Sequence, residues 1–492
     1  MILKIKNLLN VPLNKKLILD IDFYNMKLLI SLISEQTIPN VLCIEHYKPD
    51  ALLMVSTEKV SGKINFILKG LKRISEDFDF SEEKGNLWIV NVNPESPADV
   101  EGKLENWFAD FKSRYGEKFH EIIANITGGT KIMSLGLYNA VKLTKNLPAK
   151  KHTIAYIPIS TNKIVDLSKN CYGHNDCEPS VDIKRRLNIA QYFESNGIGI
   201  ISKDDRIFNN GFNDSYESVR FAQNTIEISK FIMRNYEGLK NFLTSLFYEL
   251  KILQISFNKH DKPHNIEIHC IFNDENHEIT IKLIKELFNF NYLKHFYVLS
   301  TTSDNKNLKV NISIEITEPV SVHHFVDDNK NLNVHIKGEI TKHEFDFLTG
   351  GWLERFCFNE LNELKEQGIF NDLGINVRVR NLSTEMEAEN EFDVLFTYNN
   401  NLYMIECKSL NQGHDTETDI LYKISALQAD LGRLTTKSFL ASTASENIID
   451  NKDHPGEIKE NLKKRAKMLN CSIIKPSDLI NVKEEIKKEL KI

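Results

Sequence analysis

Asp393, Glu406 and Lys408 are the residues of this chain whose types and spacing suit chemistry on a phosphodiester. They lie in two short runs, Glu391-Phe392-Asp393-Val394-Leu395 and Ile405-Glu406-Cys407-Lys408, on either side of Asn399-Asn400-Asn401. Asparagine tolerates the left-handed backbone that a two-residue hairpin turn needs, so Asn399-Asn400 predicts a hairpin. Tyr398 then pairs with Asn401, and counting back sets Asp393 opposite Glu406. Directly opposed residues have Cβ atoms about 4.5–5.5 Å apart. Two carboxylates at that distance repel unless a cation lies between them, and Mg²⁺ or Mn²⁺ takes such hard oxygen ligands. A divalent ion also polarises a phosphate and lowers the pKa of a bound water. Lys408, two residues beyond Glu406, shares its face and suits orienting that water or offsetting charge on the phosphate. A solvated edge hairpin can carry the same three residue types, but the apolar Met404-Ile405 leading into Glu406 argues for a buried strand.

The elements that would position this trio follow in order. A helix is expected over about Leu348 to Leu364, with Leu353, Cys357, Leu361 and Leu364 on one stripe. Glu354 borders that stripe and is a further candidate carboxylate. Strands are expected at Ile375 to Arg380, Phe392 to Tyr398 and Leu402 to Lys408. A helix with Ile420, Ile424, Leu427 and Leu431 on one face follows, then a strand at Ser438 to Ala441. This α-β-β-β-α-β order, with Asp393 and Glu406-Cys407-Lys408, resembles the PD-(D/E)xK nuclease superfamily over about residues 346–475. The resemblance implies a restriction-endonuclease-like α/β domain. In it Glu354, Asp393, Glu406 and the backbone carbonyl of Cys407 are the metal ligands and Lys408 is the catalytic lysine. The Cys407 side chain is expected to point into the core. Gln428 fits a later polar helix position of that family.

A second chemical signal lies far upstream. Residues 1–170 alternate strand and helix patterns. Strands are expected at Lys27 to Ile33, Ala51 to Ser56, Leu87 to Val92, Glu121 to Ile126 and Thr153 to Ile159, with helices between them, which predicts a parallel doubly wound sheet. Thr127-Gly128-Gly129-Thr130-Lys131 sits between the fourth strand and a helix. Its glycines let backbone approach a ligand, and free N–H groups at a helix start favour a phosphate. The spacing is neither Walker A nor the dinucleotide glycine fingerprint, and a plain helix-capping turn is the competing reading. Ser34, Glu35, Gln36 and Asn40, after the first strand, are expected at the same sheet edge, where ligands of open α/β sheets bind.

The first strand with Ser34-Glu35-Gln36-Thr37-Ile38-Pro39-Asn40, and Thr127 to Lys131 after the fourth, resemble the CARF domain, the sensor of cyclic oligoadenylates in type III CRISPR defence. Joined to a PD-(D/E)xK domain, it looks like the CRISPR ancillary nucleases that cyclic tetra-adenylate activates. The resemblance implies a Rossmann-like CARF sheet and a homodimer. Ser34, Gln36, Asn40, Thr127, Gly128, Gly129, Thr130 and Lys131 would form the activator site, with Gln36, Thr130 and Lys131 contacting the ring from both subunits. It also implies a DNA or RNA substrate and a CRISPR antiviral role. Two rivals are a CARF-type regulator with an inactive nuclease-like module and a restriction-type DNA endonuclease. Asp393, Glu406 and Lys408 together speak against the first, and the glycine-threonine turn against the second.

The remaining sequence sets bounds. The chain has 492 residues and a net charge of −6, so nucleic acid must be met by local basic patches rather than a global field. Seven cysteines lack a disulfide-like framework. The start, Met-Ile-Leu-Lys-Ile-Lys-Asn, lacks a signal-peptide pattern, and the longest apolar runs fall far short of a membrane span. The expectation is a cytoplasmic protein. Residues 171–345 read as a connector, drawn over 165–229, and an α+β middle region with helices at Thr225 to Leu250 and Ile281 to Phe288. Cys171, His174 and Cys177 lack a second ligand pair and read as an ordinary loop rather than a zinc site. His323-His324 read as strand or turn without catalytic duty. Arg378 and Arg380 alternate on a strand and suit phosphate contact or a solvated face. The lysine-rich tail over 483–491 reads as a solvated terminal helix.

Overall fold

A computed structural model describes residues 26–116, 119–158, 161–169, 179–201, 222, 224–253, 263–293, 323–326, 331–382, 389–409, 417–430, 435–444, 448–450 and 456–492. Cys171, His174, Cys177 and the start of the chain lie outside these residues. The chain divides into two compact units, residues 1–187 with 191–198, and residues 188–190 with 199–492. Among the described residues no helix is long and apolar enough to cross a membrane.

The first unit is built on β1 (Met26–Leu32), β2 (Ala51–Ser56), β3 (Leu87–Asn91), β4 (Phe119–Asn125), β5 (Ala149–Tyr156), β6 (Lys163–Asp166) and β7 (Ser180–Asp182), in the order β3-β2-β1-β4-β5-β6-β7. The first five are mutually parallel, joined through α1 (Ile38–Tyr47), α2 (Lys63–Ile74), α3 (Pro97–Tyr115) and α4 (Lys131–Leu143). Leu28, Leu29, Ile30 and Leu32 of β1 and Leu52, Leu53, Met54 and Val55 of β2 are fully buried. Such continuous apolar runs mark strands covered on both faces. β6 and β7 continue the sheet antiparallel, β6 at the start of the stretch that sequence assigns to the connector and β7 within it. Short, polar strands of this kind carry little periodic signal.

The second unit contains α5 (Ile226–Arg234), α6 (Tyr236–Ile252), β8 (His264–Asn273), α7 (His277–Phe288), β9 (His323–Val326) and β10 (Asn331–Ile340). The sequence predicts one helix over 225–250; the structure breaks it at Asn235, whose amide side chain donates to the Phe231 carbonyl at 2.9 Å. β8, β9 and β10 form a separate antiparallel sheet in the order β9-β10-β8. Beyond it come α8 (Trp352–Glu366), β11 (Asp372–Asn381), β12 (Glu389–Tyr398), β13 (Asn401–Lys408), α9 (Glu417–Asp430), β14 (Thr435–Ser442), α10 (Glu460–Met468), β15 (Cys471–Ile474) and α11 (Val482–Leu490). The C-terminal sheet runs β15-β14-β13-β12-β11, antiparallel through the hairpin and parallel from β13 to β15. One hydrophobic core joins Phe242 and Leu246 of α6 to Trp352, Phe356 and Phe358 of α8 and Phe396 of β12. The expected helix over 348–364 begins later, at Trp352, because Phe347–Gly351 form a π-turn in which Gly350 has φ 144°, a conformation open to glycine.

Candidate functional sites

The hairpin is folded as its asparagines require. Asn399 and Asn400 have φ 49° and 57°, and Tyr398 pairs with Asn401, Thr397 with Leu402, Leu395 with Met404 and Val394 with Ile405. The backbone ladder ends there, one step short of Asp393 and Glu406. Beyond it the Asp393 carboxylate accepts the Cys407 N–H at 2.7 Å. That bond fixes Asp393 against the strand that carries Glu406.

Glu406 is 1% exposed. Its Oε1 pairs with Lys423 of α9 and lies 3.9 Å from Lys408 Nζ, while Oε2 is buried with no hydrogen-bond partner. Burial pushes the Glu406 carboxyl up to about 7; the Asp393 charge adds to the rise, and Lys423 and Lys408 oppose it. Burial also raises Asp393, reinforced by Glu354 and countered by Lys423, the Cys407 amide and Lys408. Glu354 stands in the first turn of α8. Burial raises it too; Arg355 and a hydrogen bond from Asn376 resist, and Glu391 and Glu406 add to the rise. Burial works against the Lys423 charge, but Glu406 and Asp393 outweigh it and hold its pKa above the ordinary lysine value.

Three carboxyls therefore share an environment that undercompensates their charge. A buried carboxylate oxygen without a donor is the group a hard divalent cation satisfies. Asp393 and Glu406 offer the hard oxygen donors that Mg²⁺ or Mn²⁺ takes, although the ligand atoms of Glu354, Asp393 and Glu406 do not all fall within 4.8 Å of one another. The Cys407 side chain is in the core and its thiol is raised well above the ordinary range, by burial first and by Cys357 second, so it is no nucleophile.

Lys423 is the site residue that sequence reasoning missed. It flanks the apolar stripe of Ile420 and Ile424, and the one available signal was that two buried carboxylates require more than one cation. Gln428, on the same helix, is turned elsewhere: its amide donates to Ser438 Oγ at 2.7 Å and to the Leu469 carbonyl at 3.1 Å. Arg378 and Arg380 both pair with Glu389, which engages the guanidinium groups that sequence offered for phosphate contact.

In the first unit, β1 leads to β2 on one side and β4 to β5 on the other. The chain order thus reverses between the adjacent strands β1 and β4, and ligands of open α/β sheets bind outside the carboxyl ends of such strands. Ser34 to Gln36 follow β1, and Thr127 to Lys131 follow β4. Gln36, Thr130 and Lys131 are exposed there. Thr130 caps α4, accepting the Met133 N–H at 3.1 Å and donating to the Pro94 carbonyl at 2.8 Å. The Thr127 hydroxyl accepts the Ile157 N–H at 2.9 Å. A Cβ on Gly128 would lie 2.2 Å from the Leu32 carbonyl oxygen, so glycine here lets the two strand ends approach. Gly129 has φ 70°. Ser34 Oγ donates to the Gln36 carbonyl at 3.0 Å.

Asn40 is a correction to the sequence reading. It is fully buried, not displayed at the sheet edge. Its Nδ2 donates to Ser31 Oγ and to the Leu32 carbonyl, both at 2.8 Å. Asn125 Nδ2 reaches the same Ser31 oxygen at 2.9 Å and its Oδ1 accepts the Thr127 N–H at 3.1 Å. Asn40 and Asn125 thus tie the ends of β1 and β4 together beneath the exposed residues.

Comparison with known proteins matches both regions. Residues 28–192 match the Card1 CARF domain, and residues 341–491 match the Card1-like endonuclease domain. Protein VC1899 from Vibrio cholerae is 15% identical, with a TM-score of 0.62 over 95% of this chain and 98% of that one. Can2 from Sulfobacillus thermosulfidooxidans, solved in complex with cyclic tetra-adenylate, is 18% identical, with a TM-score of 0.60 over 94% of this chain and 98% of that one. At such identities the two structures establish a shared fold. No curated protein matches the chain.

Proposed function

We propose that this protein, in which a region matching the Card1 CARF domain is joined to one matching the Card1-like endonuclease domain, is a CARF-associated nuclease of CRISPR defence, a metal-dependent phosphodiesterase held in check until a cyclic oligoadenylate binds. The observation that carries the catalytic half is Glu406: buried, partly unsatisfied, and opposed by two lysines. Asp393, Glu406 and the Cys407 carbonyl would hold Mg²⁺ or Mn²⁺, with Glu354 as a further carboxylate. The ion supplies Lewis-acid polarisation of the scissile phosphate.

The chain's own residues do the rest. The Cys407 amide orients Asp393. Lys423 opposes the rise that burial imposes on the Glu406 carboxyl. Lys408, at the rim of the carboxylates, orients the attacking water or offsets charge on the phosphate oxygens. Each role follows from electrostatic preorganisation, which dominates phosphoryl transfer.

Control is assigned to the crevice above β1 and β4. The exposed Gln36, Thr130 and Lys131 and the capped start of α4 suit an anionic nucleotide. Can2, which shares the fold and was solved in complex with cyclic tetra-adenylate, supports a cyclic oligoadenylate as the ligand. A homodimer binding one ring across its two-fold axis would suit the symmetry of that ligand. The test is cleavage of plasmid, single-stranded DNA and RNA in Mn²⁺ across a titration of cyclic tetra- and hexa-adenylate. Activation by one ring size supports the assignment, and activity unchanged by either refutes the control model.

A further inference from the structure

The sheet of β8, β9 and β10 carries a feature that neither nuclease nor sensor uses. β8 and β10 pair antiparallel, with His269 directly opposite His335 and Glu267 opposite Lys337. Along β8 the alternation is strict: Ile266, Ile268, Cys270 and Phe272 are buried, and Glu267 and His269 are exposed. A two-residue period places Glu267 and His269 on one face. The imidazoles of His269 and His335 stack across the strands with centroids 4.0 Å apart and planes 8° from parallel. Glu267 Oε1 lies 3.1 Å from His335 Nε2. One ligand atom from each residue falls within 4.8 Å of the others. Among the described residues, no other group of His, Cys, Asp or Glu brings three ligand atoms so close. On the far side of β10, the register sets His323 of β9 opposite His335.

We propose that Glu267, His269 and His335 form a binding site for a divalent transition cation of the zinc type, clasping β8 to β10. The donor set is two imidazoles and one carboxylate, which suits zinc with a fourth position open to water. Ligand nitrogens about 2.0–2.1 Å from a tetrahedral ion lie about 3.4 Å apart, so an ion would draw together ligand atoms that lie within 4.8 Å of one another and turn the stacked rings out of parallel. The pleated backbone already sets the cross-strand spacing. Imidazoles stack without repulsion when neutral, and neutral imidazole is the form that ligates. The site differs in kind from the nuclease carboxylates: imidazole selects transition metals, and all-oxygen donors select magnesium and manganese. A plain hydrogen-bonded His335–Glu267 pair is the competing reading, and it predicts no metal stoichiometry.

The experiment uses the full-length chain with D393A and E406A installed, so that the nuclease carboxylates cannot contribute. Zn²⁺ binding is measured by isothermal titration in millimolar Mg²⁺, with and without H269A or H335A, and folding of each variant is verified by circular dichroism. The expected result is about one Zn²⁺ more for the parent than for either histidine variant, or affinity weakened about tenfold or more. A Zn²⁺-dependent rise in melting temperature should be present in the parent and absent in H269A, whose side chain is exposed and whose loss leaves the core intact. Equal stoichiometry and affinity in parent and both variants would overturn the proposal. So would Mg²⁺ displacing the bound Zn²⁺.

Discussion

Replacing Glu406 by glutamine should make the metal-free protein more stable while abolishing cleavage. Glu406 is 1% exposed and one of its oxygens has no hydrogen-bond partner. Its pKa rises from the ordinary 4.5 to about 7, which at about 1.4 kcal/mol per tenfold change in equilibrium is roughly 3 kcal/mol against the ionised native state. The sign follows from linkage. A carboxyl with a raised folded pKa contributes stability that is complete below about 4.5 and is lost as pH rises through about 7. In EDTA at pH 8 the wild type bears this penalty, and Glu406→Gln, neutral and of the same shape, does not. Lys423 loses its partner in the variant, which returns part of the gain and leaves a net advantage of about 1–3 kcal/mol. For a unit of this size each kcal/mol moves the melting temperature by about 2–4 °C. Differential scanning calorimetry in EDTA should therefore show the variant melting roughly 2–12 °C higher at pH 8, with the two proteins converging near pH 5. Millimolar Mn²⁺ should raise the wild type and leave the variant unmoved. A variant less stable than the wild type at pH 8, or a gap independent of pH, would refute the claim that Glu406 is an uncompensated buried carboxylate.

Three further outcomes follow from named contacts. Lys423→Ala should lower the cleavage rate about 10–100-fold and shift the rising limb of its pH profile upward, because Glu406 loses a stabilising cation; Lys423→Arg should restore part of the rate, and a Lys423→Ala profile that does not shift would deny the role. Lys131→Ala should weaken cyclic oligoadenylate binding about tenfold or more without changing the melting of the first unit, read by titration calorimetry. Gly128→Ala should destabilise the first unit by about 1–3 kcal/mol, since its Cβ would meet the Leu32 oxygen at 2.2 Å; unfolding in urea monitored at Trp88 and Trp107 checks it.

The part of the site legible in sequence was the part set by local geometry. Two asparagines able to take φ 49° and 57° fixed the turn, and the turn fixed which residues of β12 and β13 oppose each other. The parallel sheet was legible because apolar runs such as Leu28 to Ile30 in β1 and Ala51 to Val55 in β2 alternate with helical patterns. What escaped depends on how separate elements meet. Lys423 reaches Glu406 from a helix, and nothing in the spacing of α9 shows which face lies over β13. Asn40 reads as a polar residue at a strand end; only the neighbouring strand, with Ser31 and Asn125, turns it into a buried tie. Gly128 reads as a ligand-cradling glycine, yet the Leu32 carbonyl alone already requires it. Arg378 and Arg380 read as phosphate contacts or a solvated strand face until β11–β12 pairing brings Glu389 between them.

In the proposed function, one chain couples a cyclic oligoadenylate crevice to a carboxylate–lysine nuclease site. The direct measurement is cleavage of a labelled single-stranded and a supercoiled DNA, and of RNA, by the purified protein with Mn²⁺ alone, cyclic tetra-adenylate alone, and both. The account predicts cleavage only when both are present, with none from Glu406→Ala or Lys408→Ala. Equal cleavage without the cyclic nucleotide, or undiminished cleavage by either variant, would contradict it.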